Sequence, residues 1–309
     1  MTTAFITHPD CAKHDMGAHH PECPQRLAAI EDQLIASGIS QYLMRCDAPL
    51  ATDEQLARVH PIEYVNAIRD AAPDEGLVHL DPDTAMNPFS LRAALRAAGA
   101  AVHGVDLVMR GEADSAFCAV RPPGHHACRA RPMGFCIFNN VAVAARHAIE
   151  AHGVERVAIV DFDVHHGNGT EDIFEGDPQV LMVSIFQHPF YPYSGTENPA
   201  SNMVNIPLPA GSGGKQLREA VTRHWLPALD EFRPELLLFS AGFDAHAEDG
   251  MAMLRFVEDD YAWVTERMRE VADRDAKGRM VSVLEGGYSL SALGRSVARH
   301  IRVLARLDA

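Results

Sequence analysis

The chain is predicted to be an α/β protein whose central, mostly parallel sheet carries helices on both faces. Apolar, β-rich runs alternate with longer helical patterns along the sequence, the signature of that architecture. The run Arg156-Val157-Ala158-Ile159-Val160 has the β-branched, near-continuous apolar character of a strand buried on both sides. No internal repeat, low-complexity tract or Pro/Ser-rich linker interrupts the series, so residues 1–309 read as one domain.

In chain order, a strand at 4–7 leads to helices at 24–37, 61–70 and 90–109. A strand at 116–120 and a helix at 140–152 follow, then strands at 156–163 and 180–186. A helix at 215–232 precedes a strand at 235–241, a helix at 258–273, a strand at 280–284 and a last helix at 289–306. Leu217, Val221, Trp225 and Leu229 illustrate the helical spacing of apolar residues behind these assignments. Three long irregular stretches, 121–139, 188–201 and 242–254, each follow a strand and are rich in Gly, Pro, His and aromatics. Ligands of open parallel sheets sit beyond the carboxyl ends of the strands, where such loops gather. The chemically suggestive residues all fall there, which points to a single site.

Composition narrows the function. The 309 residues, 47% hydrophobic and 22% charged, describe an ordinary globular protein, large enough to bury roughly three quarters of its unfolded surface without disulfides. A formal charge of −15 argues against a nucleic-acid partner and leans toward cationic substrates, although solubility alone accounts for it too. Residues 1–10 are too short and polar for a signal peptide, and no apolar run is long enough for a bilayer. The six cysteines follow no close-spaced framework, which suits free thiols in a reducing cytoplasm. Cys11, His14, His19, His20 and Cys23 cluster in an N-terminal loop, but their spacing matches no usual zinc pattern.

Residues 161–169, D-F-D-V-H-H-G-N-G, carry two types of metal ligand where a strand runs into a glycine turn. If strand geometry persists, Asp163 and His165 point to the same side, and an O/N ligand pair suits zinc. The alternative is a polar cluster that merely caps the sheet. Arg121-Pro122-Pro123-Gly124-His125-His126 presents tandem histidines on a turn fixed by two prolines and a glycine, which favours proton transfer over a structural role. Asp161 and Asn168 are candidate partners for their far nitrogens. Asp244 in A-G-F-D offers a third carboxylate past a strand. Tyr288 in E-G-G-Y either donates to an oxyanion or packs over a strand end.

These motifs, with M-G-F-C-x-F-N-N at 133–140 and H-P-E-C-P-Q-R-L at 20–27, resemble the histone deacetylase superfamily of zinc-dependent acyl-lysine and acetylpolyamine amidohydrolases. Asn168 and the H-P-E-x-P-x-R-L opening are similar to its class II and bacterial branch; class I enzymes carry aspartate where Asn168 stands. The resemblance implies a single-domain arginase/deacetylase-like fold, with zinc held by Asp163, His165 and Asp244. It implies His126 as general base oriented by Asn168, His125 as electrostatic partner bonded to Asp161, and Tyr288 polarising the acyl carbonyl. Gly134, Phe135 and Tyr191 would line the acyl-lysine tunnel, and Arg26 would stand near an internal acetate channel. A structural potassium ion is implied beside the zinc loop, on backbone oxygens of Asp161, Asp163 and His165 and the hydroxyl of Ser184. His166 would bond structurally.

The implied activity is removal of acyl groups from lysine side chains in proteins or peptides. Acetylpolyamine hydrolysis is the rival. Polyamine-selective relatives place a glutamate gatekeeper after the third ligand, and counting puts Met251 near that position, with Glu248 and Asp249 close by. A non-catalytic acyl-lysine binder would lack a ligand or the tyrosine, and both are present. An arginase-like dimetal hydrolase would need bridging carboxylates that are absent. Loops 78–88 and 188–201 are candidates for substrate rims or homo-oligomer contacts, and Asp83 for the substrate backbone.

Overall fold

Eight strands form one sheet because its apolar runs have two faces to cover, and helices cover both. The computed structural model describes residues 2–307; Met1, Asp308 and Ala309, at the ends of the expected 1–309 domain, lie outside the described residues. The sheet comprises β1 (Thr3–Thr7), β2 (Leu43–Asp47), β5 (Ser115–Cys118), β6 (Val157–Asp161), β7 (Val180–Gln187), β8 (Met203–Leu208), β9 (Leu236–Ala241) and β10 (Met280–Leu284). Its order is β2-β1-β5-β10-β9-β6-β7-β8, parallel throughout. Strands β3 (Val78–His79) and β4 (Ala85–Met86) form a separate antiparallel ribbon.

Alternation along each central strand feeds two cores. Val157, Ile159, Leu236, Leu238, Val281 and Val283 pack on one side with α4 (Ser90–Arg110) and α5 (Asn140–His152). Ala158, Val160, Leu237 and Phe239 pack on the other with α1 (Gln25–Ala36), α9 (Glu258–Asp275) and α10 (Leu290–Leu304). The expected helix at 215–232 is α7 (Gly214–Ala220), a π-turn at Val221–Trp225 and α8 (Leu226–Phe232). Pro227 lies in the first turn of α8, where its missing N–H breaks the regular ladder. Among the described residues, no helix is long and apolar enough to cross a membrane.

The edge strands β2 and β8 escape the sequence pattern because they are partly exposed. β2 reads L-M-R-C-D, and β8 carries Asn205 and Pro207, the latter tolerable only where a ladder N–H is dispensable. Two short helices, α2 (Asp53–Ala57) and α6 (Asn168–Phe174), escape it by length; α3 (Ile62–Asp70) matches expectation. One expectation needs correction: β6 stops at Asp161 rather than running to 163. Asp163 and His165 therefore converge through turn bonds rather than strand alternation. Asp163 N donates to Asp161 Oδ1 at 3.1 Å and His165 N to Asp163 Oδ1 at 2.8 Å.

Candidate active site

Five adjacent strands, β5-β10-β9-β6-β7, deliver the predicted residues from their carboxyl ends. The loop after β5 carries His125 and His126, and its backbone is held from across the site. Gly124 N and His125 N donate to Glu285 Oε2 at 2.6 and 3.1 Å. β6 ends at Asp161 and the turn after it supplies Asp163 and His165; Asp244 follows β9 and Tyr288 follows β10. Gly286 has to be glycine, since a Cβ there would lie 2.2 Å from Asp244 Oδ2 and 2.6 Å from Asp163 Oδ2.

Asp163, His165 and Asp244 are buried with their ligand atoms all within 4.8 Å. His165 Nδ1 lies 3.0 Å from Asp163 Oδ1 and 3.1 Å from Asp244 Oδ2. Asp244 Oδ2 is buried, with His165 Nδ1 beside it but no well-aligned hydrogen-bond donor. Burial first, then the charge of Asp163, pushes the Asp244 carboxyl up to about 6. A cation between the carboxylates would relieve both deficits, so the residues fit a metal dication. A second trio, Asp106, His147 and His152, contrasts with it. Both imidazoles bond Asp106 Oδ1 at 2.8 and 2.7 Å, and His147 Nδ1 contacts Arg58 at 2.6 Å, so those groups already satisfy one another. Cys11, His14, His19, His20 and Cys23 form no ligand group among the described residues.

Over the metal-ready trio sit two imidazoles with opposite electrostatics. His125 Nδ1 bonds Asp161 Oδ2 at 3.0 Å. Against the cost of burial, Asp163 and Asp161 push His125 up to about 10. His126 Nδ1 bonds Asn168 Oδ1 at 2.7 Å. Burial first, then the neighbouring His125 and His165 imidazoles, hold His126 well below the ordinary histidine range. The surroundings therefore favour a proton on His125 and disfavour one on His126.

The site opens through a cavity of about 230 Å³ lined by Asp83, His126, Gly134, Phe135, His165, Phe190, Tyr191, Met251 and Tyr288. Gly134 has φ +58°, and a Cβ there would strike the His126 ring at 2.3 Å. Met251 reaches the lining, but the carboxylates beside it do not: Glu248 pairs with Arg295 at 2.7 Å, and Asp249 bonds backbone N–H groups. Arg26 is buried behind Tyr288, 5.1 Å from its ring, with Nε donating to Gly287 O at 2.6 Å. It shares Glu22 with Arg121, all three fully buried. Ser184 donates to Asn205 Oδ1 at 3.0 Å. His166 bonds Ser194 and Glu171. Phe190, stacked on His165 at 5.5 Å, and Glu285 were not singled out from sequence. The signal for Glu285 is a carboxylate immediately after a mostly apolar strand.

A sequence profile described as the Histone deacetylase domain matches residues 20–304. The chain is 39% identical to a histone deacetylase-like amidohydrolase of Pseudomonas aeruginosa, over 93% of this chain and 82% of that one. It is 36% identical to the polyamine deacetylase HDAC10 of Homo sapiens, over 98% of this chain and 48% of that one. Its structure superposes on the crystal structure of the HDA15 HD domain with a TM-score of 0.93 at 34% identity, covering 99% of this chain and 88% of that one. Fold and site together define a hydrolytic deacetylase, of a class in which zinc dependence is typical. The chain belongs to the histone deacetylase family.

Proposed function

We propose that residues 1–309 form one catalytic domain, a zinc-dependent amidohydrolase that removes acetyl or other acyl groups from lysine side chains of proteins or peptides. The observation that carries this reading is the convergence of buried Asp163, His165 and Asp244, their ligand atoms within 4.8 Å of one another, beside the tandem imidazoles of His125 and His126. Zinc held by Asp163, His165 and Asp244 would supply Lewis acidity toward the acyl carbonyl and the attacking water. Two carboxylate ligands temper that acidity, so a separate base is useful. His126 Nε2 takes the proton of the attacking water and later returns it to the departing amine nitrogen. Asn168 holds His126 through Nδ1 without the full negative charge by which a carboxylate would favour imidazolium. The Tyr288 phenol donates to the developing oxyanion, and His125, anchored by Asp161, acts as the electrostatic partner nearby. Gly134, Phe135 and Tyr191 enclose the aliphatic stem.

Met251 in the lining, with Glu248 and Asp249 engaged elsewhere, favours a peptide-borne acyl-lysine over an acetylated polyamine, whose distant ammonium needs a carboxylate. Asp83, the carboxylate in that lining, favours the acetylpolyamine reading. Turnover of an acetyl-lysine peptide compared with N-acetylputrescine decides; a preference for the polyamine would overturn the peptide reading. A structural potassium ion at Ser184 and the backbone oxygens of Asp161, Asp163 and His165, and an acetate path past Arg26, belong to the same proposal. The Ser184 hydroxyl, donating to Asn205, keeps a lone pair for a cation. We place the protein in the cytoplasm, with no nucleic-acid or membrane partner, and self-association through the rim loops as an open contact mode. Six unpaired cysteines are compatible with a reducing compartment; a relative from Arabidopsis thaliana is named chloroplastic.

A further inference from the structure

We propose that Asp249 is a positioning residue for Tyr288, tying the tunnel wall to the oxyanion donor; this rests on the role given to Tyr288 above. Two glycines precede Tyr288, and Gly287 has φ +122°, so the phenol's direction depends on what pins the backbone around it. Gly286 N is held by Asp163 Oδ2 at 2.9 Å and Gly287 O by Arg26. The tyrosine's own N–H is held by Asp249. Oδ2 of Asp249 accepts from Tyr288 N at 2.6 Å and from Ser289 N at 3.0 Å, immediately before α10. A carboxylate there also meets the positive end of that helix.

The other oxygen, Oδ1, accepts from Met251 N at 3.0 Å. One buried carboxylate thus fixes a cavity-lining residue and the phenol-bearing residue together. Asp249 does not line the cavity, so it acts through Tyr288 rather than on substrate. Catalytic geometry is sensitive at this scale, where a displacement of about 1 Å can cost roughly 10²-fold in rate.

The test uses zinc-loaded wild type, Asp249→Ala, Asp249→Asn, Tyr288→Phe and the double variant Asp249→Ala/Tyr288→Phe. Metal content and steady-state kinetics are measured on an acetyl-lysine peptide or N-acetylputrescine, whichever wild type turns over. Asp249→Ala is expected to keep zinc and lose about tenfold or more in kcat, with KM within about twofold. Asp249→Asn, which retains an acceptor oxygen, is expected to recover part of that loss. In the Tyr288→Phe background, Asp249→Ala is expected to cost less than about twofold, because its effect runs through the missing hydroxyl. Undiminished kcat in Asp249→Ala, multiplicative losses in the double variant, loss of zinc, or failure of both Asp249 variants to fold would each overturn the inference. Wild-type turnover by Tyr288→Phe would instead refute the oxyanion assignment on which it stands.

Discussion

Asn168 Oδ1 accepts a hydrogen bond from His126 Nδ1 at 2.7 Å, and the partner is an amide where a carboxylate would make a stronger proton trap. The amide nitrogen faces two sulfurs, Cys128 Sγ at 3.4 Å and Met133 Sδ at 3.3 Å. That arrangement keeps the carbonyl oxygen turned toward the imidazole.

Replacing this amide by a carboxylate stabilises imidazolium, so Asn168→Asp should raise the proton affinity of His126. The base is active when neutral, so the acid limb of the kcat/KM–pH profile should move to higher pH. An acid limb unmoved from wild type would separate Asn168 from the base.

His126→Ala should abolish hydrolysis while metal content stays at the wild-type level. Tyr288→Phe should cut turnover by about 10²- to 10³-fold, the usual cost of one oxyanion donor. Residual activity near wild type in either would reassign that role.

Asp163→Ala and Asp244→Ala should release zinc, measured by metal analysis after dialysis. Full metal retention by either variant removes that residue from the ligand set. Gly286→Ala should weaken zinc binding as well, since its methyl would press on both carboxylates.

His300 is fully buried, with Nδ1 2.7 Å from Thr265 Oγ1 and Nε2 2.9 Å from Ser282 Oγ. Burial holds it down to about 3. The unfolded chain takes up this proton near pH 6.5 and the folded chain does not. Its contribution is therefore complete above about pH 6.5 and declines as pH falls toward 3, by about 1.4 kcal/mol per pH unit. His300→Gln should flatten the pH dependence of the denaturation midpoint between about pH 6.5 and 4. An unchanged slope would mean that His300 does not contribute to it.

The chemistry was more legible in sequence than the architecture's margins. Central strands announce themselves because burial on both faces forces unbroken apolar runs, and site residues cluster in motifs at their ends. Arg45 and Pro207 hid the edge strands, since an exposed flank permits any residue that spares the ladder. Strand alternation does not persist to Asp163 and His165; the turn bonds aim them instead. Asp249 and Phe190 had no signature, because backbone acceptance and ring stacking depend on neighbours distant in the chain.

Glu22 reaches both Arg26 and Arg121, at 3.0 Å to Arg26 Nη1 and 2.6 Å to Arg121 Nη2, with all three side chains sealed from water. Glu22 is therefore an anionic keystone between two elements far apart in the chain. A shortened protein beginning beyond position 22 would lose β1 from between β2 and β5 and would also strand two guanidinium groups in the interior, one of them wedged behind the phenol. Orphaning a buried charge costs about 3–5 kcal/mol, so such a truncation should lose its fold well before any question of turnover arises.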